Sequence, residues 1–413
     1  MARIVVIGGS LGGLMLANML VRAGHDVRLL EKSRHSLDGR GAGIVTHRPL
    51  VAALARCGVP PDAALGVSID QRVVLDQRGD VLTRASLAQV LTSWSRLYAM
   101  LAAEFPADRY VSGACVVQVQ QTGHGVCAIC QDGRTFDADV AVACDGIRSV
   151  VREALAPEVK VEYAGYVAWR GVCDEAVLSQ STLDSVFDTF GFGLPPGEQL
   201  IGYPVAGSGN SIGPGQRRYN FVWYRPAPDD GQLRALMTDA DGCHHPLGLP
   251  PNKVSWRHVA DARRAARELL APQFAEIMEK TAQPFLQPIH DCSSERMAFG
   301  RIALMGDAAF VARPHVGMGV TKAAEDAMAL TDCIKIHGAN AEALLAFEAL
   351  RLVPGQQVVE RGRRLGAFMR PRACADVATG ILVRDAHQVM METAVDLSQD
   401  PDESVSSAHA ALA

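Results

Sequence analysis

The sequence predicts an α/β fold, and three observations carry that prediction. A short apolar strand, a glycine turn and a helix follow one another at the extreme N-terminus. Two later apolar strands each break at an Asp-Gly or Gly-Asp pair that leads into a helix. Between those two lies a run of short strands punctuated by Pro and Gly, which reads as a mostly antiparallel sheet. Size and composition agree. At roughly 150 residues per folding unit, a soft prior, a chain of 413 residues is too long for one simple core, and 48% hydrophobic with 21% charged residues is ordinary globular usage. A formal net charge of −5 leaves no basic excess for a phosphate backbone, so nucleic acid is not an expected partner. The ten cysteines are scattered and read as small buried groups in a reducing compartment, which predicts a cytoplasmic location.

Ile4 to Val21 carries no charge and is long enough to raise a membrane helix or a signal peptide. Gly8, Gly9, Gly12 and Gly13 in its middle, and the lack of a cleavage site before Arg22, argue against both. No membrane partner is expected. The segment reads instead as a strand (3–7), a turn, and a helix from about Leu11 to Ala23 that Gly24 ends, with a second strand resuming at His25. The turn, Gly8-Gly9-Ser10-Leu11-Gly12-Gly13, is GxGxxG with Ser10 at the middle glycine. That pattern lets backbone N–H groups and a helix N-terminus meet a pyrophosphate. Glu31, at the end of the second strand, can accept the ribose hydroxyls of an adenosine. Gly8, Ser10, Leu11, Gly13, Glu31 and the adjacent Lys32 are therefore candidate cofactor residues. The turn alone does not separate NAD from FAD.

Two further segments bear on that choice. One is Ala141 to Arg152, an apolar strand broken by Asp145-Gly146 with Ser149 behind it. The other is Arg301 to Ala309, a strand ending in Gly306-Asp307, followed by Pro314, Gly317 and Gly319 and a helix around Thr321 to Thr331. With these three motifs in order, the chain resembles the aromatic-ring flavoprotein monooxygenases, the family typified by para-hydroxybenzoate hydroxylase. The resemblance implies a discontinuous Rossmann-like FAD-binding domain (1–155 and 299–340), an inserted antiparallel substrate-binding domain (156–298), C-terminal helices (341–395) and a frayed tail (396–413). It implies that Asp307 bonds the ribityl chain of FAD and that Asp145 serves both FAD and a transient NADH or NADPH. Arg40, Val45 and Val116 join the expected cofactor set. Helix N-terminal N–H groups near Gly317, Gly319 and Val320, beyond Pro314, would face the flavin ring and favour its anionic reduced form. Taken alone, this segment reads equally as a flexible glycine loop.

The chain departs from the family at three places. Phe310 stands where many members have His, Thr321 where Asn is usual, and Trp94 where an Arg usually reaches the FAD phosphates; Arg40 or Arg96 are the candidates to compensate. The middle strings around Tyr163–Val172, Leu200–Gly207 and Arg218–Tyr224, with Gly41–Val45, Leu236–Asp239 and Arg313–His315, are similar to the hydroxypyridine-hydroxylating branch. A small hydroxylated aromatic or N-heteroaromatic substrate, dioxygen and NAD(P)H are the implied partners; a homodimer stays open. The implied reaction passes through a flavin hydroperoxide whose distal oxygen attacks the ring, and water must be kept out. A base near neutral pKa would remove a ring hydroxyl proton. His315 and then His47 are the candidates for that base, Tyr203 is a further catalytic candidate, and Tyr203, Tyr224 and Trp169 are the expected substrate contacts; for each, packing or loop solvation is at least as good a reading.

No metal is expected: Cys127 and Cys130 lie in a strand pattern, and Cys243, His244 and His245 lack a distant partner pair. A flavin halogenase, a non-oxygenating flavin oxidoreductase and a non-catalytic FAD redox sensor are the alternatives. The dispersed tryptophans at 94, 169, 223 and 256 speak against the first.

Overall fold

The computed structural model describes residues 1–35, 37, 43–60, 64–246, 248–250, 252–369 and 385–396. Two large sheets dominate it. The first has six strands in the order Ala298–Phe299, Ile302–Leu304, Val140–Ala143, Arg3–Ile7, Asp26–Glu31, Tyr110–Ser112, parallel except for the 298–304 hairpin. Its central strands are apolar at nearly every position and buried on both faces, as a sheet covered by helices requires. Register is the functional point. Ile7 pairs with Ala143 and Leu30, and Ala143 pairs with Leu304, so the three strands end level. Gly8, Asp145-Gly146 and Gly306-Asp307 therefore leave one edge of the sheet side by side, where ligands of such sheets bind.

The helix Leu11–Arg22 follows the first turn and packs against the long helix Gly319–His337. The latter reaches beyond the 321–331 expected from sequence. Gly306 N–H donates to Asp326 Oδ2 (3.1 Å) and Arg351 Nε to Asp326 Oδ1 (2.8 Å), fixing this helix against the Gly-Asp turn. Arg351 comes from the helix Ala341–Gly366.

The second sheet has nine strands: Phe310–Val311, Phe285–Ser293, Glu162–Asp174, Arg218–Pro226, Gln199–Val205, Phe190–Gly193, Val67–Leu75, Val81–Ser93 and Gly43–Val45. All neighbours are antiparallel but 190–193 with 67–75. The sheet is thus not confined to 156–298. The hairpin 67–93, the strand 43–45 and the short strand 310–311 also belong to it, because alternation along 81–93 gives a half-buried strand that must pair.

Period-two alternation gives this sheet two distinct faces. Val167, Trp169, Tyr219, Phe221 and Trp223 point to one, against the helices Trp256–Leu269 and Pro272–Lys280. Tyr166, Ala168, Ile201, Tyr203, Val222 and Tyr224 point to the other, where Met369, Met390 and Ala394 meet them. Each fully buried aromatic on either side contributes about 1.5–3 kcal/mol of apolar transfer. Among the described residues no helix is long and apolar enough to cross a membrane.

Candidate cofactor and substrate site

Glycine is required at the first turn for measurable reasons. Gly8 has φ +108°, and a Cβ there would lie 2.3 Å from the Cys144 carbonyl oxygen; a Cβ on Gly13 would lie 1.9 Å from the Gly8 oxygen. The turn closes only because neither atom exists. Ser10 has φ −83° and caps the helix without its hydroxyl bonding any helical N–H, so the side chain is not engaged by its own helix. Leu11 is buried in the core beneath. Glu31 is also buried, and its carboxylate holds the turn: Oε2 accepts Gly9 N–H (2.8 Å) and Oε1 accepts Ser33 N–H (2.8 Å). Each oxygen keeps a second lone pair for a ribose hydroxyl. Beyond it, exposed Lys32 lines a cavity of about 480 Å³ with Arg34, Gly113, Cys115, Gln131 and Asp132. Val116 is buried beside Cys115 at the start of the three-stranded sheet 116–138.

The other two motifs are joined by one arginine. Arg152 is buried; its guanidinium donates to Ala308 O (2.9 Å), more weakly to Asp307 O (3.4 Å), and to Ile147 O. Ser149 caps that helix by accepting Arg152 N–H, and Asp145 Oδ2 accepts Val150 N–H at 3.0 Å. Burial raises the Asp145 carboxyl above its ordinary range, with the Ser149 hydroxyl opposing. The Asp307 side chain is half exposed at the strand edge, 3.8 Å from Lys322 Nζ. Pro314–Val316 forms a single tight turn, Gly317 takes φ +71°, and Gly319 with Val320 opens the long helix. A Cβ on Gly319 or Gly146 would meet nothing within 4 Å, so both glycines border open space. The level strand ends, the cradle at Gly8 and Gly13, and these open glycines fit an extended dinucleotide.

Near the 314–321 turn, His47 Nδ1 lies 2.9 Å from Thr321 Oγ1, and burial holds the imidazole below its ordinary pKa, with Asp396 opposing. Val45 is buried beside it on the second sheet. His315 is fully buried; its Nε2 donates to Gly362 O (2.8 Å), and its ring stands edge-on to Tyr224 at 5.3 Å. Tyr203 packs directly under Gly43, whose N–H donates to Asn220 Oδ1 (3.0 Å). Burial pushes the Tyr203 phenol up to about 12 and raises that of Tyr224 further, with Arg170 opposing in both. Tyr224 Oη and Asn220 Nδ2 are buried with no hydrogen-bond partner among the described residues.

Trp169 does not join this group. It is one residue out of phase with Ala168 and Arg170, so its side chain crosses to the opposite face and packs with Leu286 and the helix pair. Arg40 lies outside the described residues. Trp94 stacks on Tyr98 (5.0 Å, 10°), while Arg96 donates through Nε to Ala64 O (2.6 Å), so neither points a free cation at the turn. Phe310 packs on the helix Ala341–Gly366, where Gly355 leaves room for its ring. Sequence reading missed Arg170, Asn220 and Lys322. The first two were legible as partners of Ala168 and Val222 at strand spacing; Lys322 carried no signal.

Comparison with known proteins agrees with this geometry. The FAD binding domain family matches residues 1–194 and 249–362, and a second, described as FAD binding domain-like, matches 163–291. The chain is 31% identical over 368 residues to 2,6-dihydroxypyridine 3-monooxygenase of Paenarthrobacter nicotinovorans, covering 89% of this chain and 91% of the relative. It is 28% identical over 381 residues to the aurachin C monooxygenase/isomerase of Stigmatella aurantiaca, covering 88% of each. The solved structure of 2,6-dihydroxypyridine-3-hydroxylase from Arthrobacter nicotinovorans superposes with a TM-score of 0.84 at 30% identity, over 89% of this chain and 93% of that one.

Proposed function

Because the chain belongs to the FAD-binding aromatic-ring monooxygenases, enzymes that hydroxylate with FAD and NAD(P)H, we propose that its substrate is a hydroxylated N-heteroaromatic ring of the hydroxypyridine class. One observation carries this reading. The Tyr224 hydroxyl and the Asn220 Nδ2 are buried with no hydrogen-bond partner among the described residues, on an aromatic face that also holds Arg170. Unpaired buried polar groups cost about 1–3 kcal/mol each, and a flat ring with one exocyclic oxygen and one ring nitrogen relieves both. The relative that hydroxylates a dihydroxypyridine supports the same class.

FAD, when bound, supplies electron transfer from NAD(P)H and delivery of one oxygen atom from dioxygen. The residues of this chain do the rest. Gly8, Gly13 and Glu31 seat the adenosine diphosphate half, and Asp145, Asp307 and the 314–320 turn the flavin half. Tyr224 donates to the ring oxygen, and Arg170 stabilises it as an oxyanion. His47 donates a hydrogen bond from Nδ1–H to Thr321 Oγ1, which leaves the Nε2 lone pair to take the ring hydroxyl proton; a lowered pKa keeps the imidazole neutral for that task. His315, with Nε2 committed to Gly362 O, positions Tyr224. The cofactor unit is 1–155 with 299–340, lending the strands of 43–93 to the substrate sheet. Nine described cysteines are free, which supports a cytoplasmic setting.

The test is NAD(P)H oxidation with a hydroxypyridine and a hydroxybenzoate, scored for hydroxylated product against peroxide. The hydroxypyridine is expected to stimulate oxidation at least tenfold with one product per reductant. Coupled turnover with the hydroxybenzoate alone would overturn the substrate class.

A further inference from the structure

The long helix Gly319–His337 carries a lysine in an unusual state. Lys322 has no exposed surface, and its ammonium has no hydrogen-bond partner among the described residues. The nearest carboxylate oxygen, Asp307 Oδ1, is 3.8 Å away, too far for a hydrogen bond, and the Phe310 ring lies 5.9 Å from the nitrogen. A buried ammonium facing only one carboxylate beyond hydrogen-bond range is poorly compensated, so the position makes sense only when something else brings acceptors to it.

Its location says what. Lys322 precedes Ala323, whose Cβ lies where side chains on Gly12 and Gly306 would reach, at 3.3 and 3.5 Å. The ammonium stands beside the Gly-Asp turn, at Asp307, on a helix whose next residue meets Gly12 of the first turn. Among the described residues, three arginines of the surrounding elements already have partners. Arg152 is held by three carbonyls, Arg351 by Asp326 and Glu325, and Arg96 by Ala64 O. Trp94, where the related enzymes are expected to place an arginine, has no charge.

We propose that Lys322 is a cofactor-holding residue that binds the diphosphate of FAD, replacing from the helix Gly319–His337 the cation absent at Trp94. The ammonium donates to phosphate oxygens while Asp307, on its other side, accepts from the ribityl hydroxyls. This deepens the FAD assignment and is independent of the substrate class.

The test is FAD titration of apoprotein by flavin fluorescence quenching, at low and high salt, for wild type, Lys322→Met and Lys322→Gln, with thermal unfolding of each apoprotein. Lys322→Met is expected to weaken FAD at least 30-fold and to flatten the salt dependence. Its apoprotein should melt at or above the wild-type temperature, since a buried ammonium without a hydrogen bond has been removed. Lys322→Gln, a neutral donor, should fall between. Unchanged FAD affinity in Lys322→Met would overturn the proposal. So would weaker binding with undiminished salt dependence and a less stable apoprotein, the signature of a structural lysine.

Discussion

At the parallel sheet, the ligand-facing surface is mainly backbone: strand ends brought level by register, glycines where a Cβ would collide, and N–H groups at helix starts. At the nine-stranded sheet the corresponding surface is all side chain, assembled from alternate residues of strands that are distant in sequence. The difference teaches where each site is vulnerable. A backbone site fails through added atoms and strain, and fails completely. A side-chain face fails one hydrogen bond at a time and can be tuned.

Five substitutions sharpen or break that contrast. Gly13→Val is the severest, because its Cβ meets the Gly8 oxygen at 1.9 Å. FAD affinity should drop at least ~100-fold, about 2.7 kcal/mol, and the protein should purify colourless; a yellow protein of normal affinity would break the backbone half. Glu31→Gln keeps the shape but weakens the charge-assisted bonds to Gly9 and Ser33. A loss of about tenfold in FAD affinity, with KM for the aromatic substrate unchanged, is expected.

On the other sheet, Tyr224→Phe should raise the substrate KM about fivefold to tenfold, roughly 1–1.4 kcal/mol, with no change in FAD titration. Trp169→Phe is its control from the opposite face: neither constant moves, while urea denaturation shows a loss of about 1–2 kcal/mol. If Trp169→Phe raised KM as Tyr224→Phe does, the two-faced description would be wrong. The smallest effect is in pH. The buried His47 has a lowered pKa, so the unfolded chain takes up its proton first as pH falls. Its contribution to stability is therefore full above the unfolded value near 6.5, and shrinks as pH drops from there toward the folded value. The acid limb of kcat/KM should accordingly lie below pH 6.5, and His47→Gln should abolish it.

The same contrast explains what was legible in the sequence. Gly8 to Gly13, Asp145-Gly146 and Gly306-Asp307 are local strings of adjacent residues, so the three turns that the sheet register brings together could be read from the chain alone. The substrate side could not, because its composition depends on which of two faces each strand residue takes. Tyr203 and Tyr224 lie on the face that also holds His315, while Trp169, equally aromatic and equally buried, lies on the other. Arg170 was passed over although it stands two residues beyond Ala168 on the same strand. Long-range pairing hid the hairpin 67–93 inside what reads as cofactor territory, since its parallel neighbour Phe190–Gly193 is more than a hundred residues distant. Lys322 had no local pattern at all; only the fold brings it to Asp307.

Arg72 joins segments of the chain at opposite ends of its sequence. Its guanidinium is buried and donates to the carbonyls of Met390, Thr393 and Ala394, while Ala394 N–H donates to His315 O and its Cα abuts Gly317. These contacts span 318 to 322 residues of chain. Closing so wide a loop costs conformational entropy, and one buried guanidinium ties the segment 390–394 to the substrate-side sheet. Loss of Arg72 would loosen residues 390–394 and, through Ala394, the backbone at His315 and Gly317.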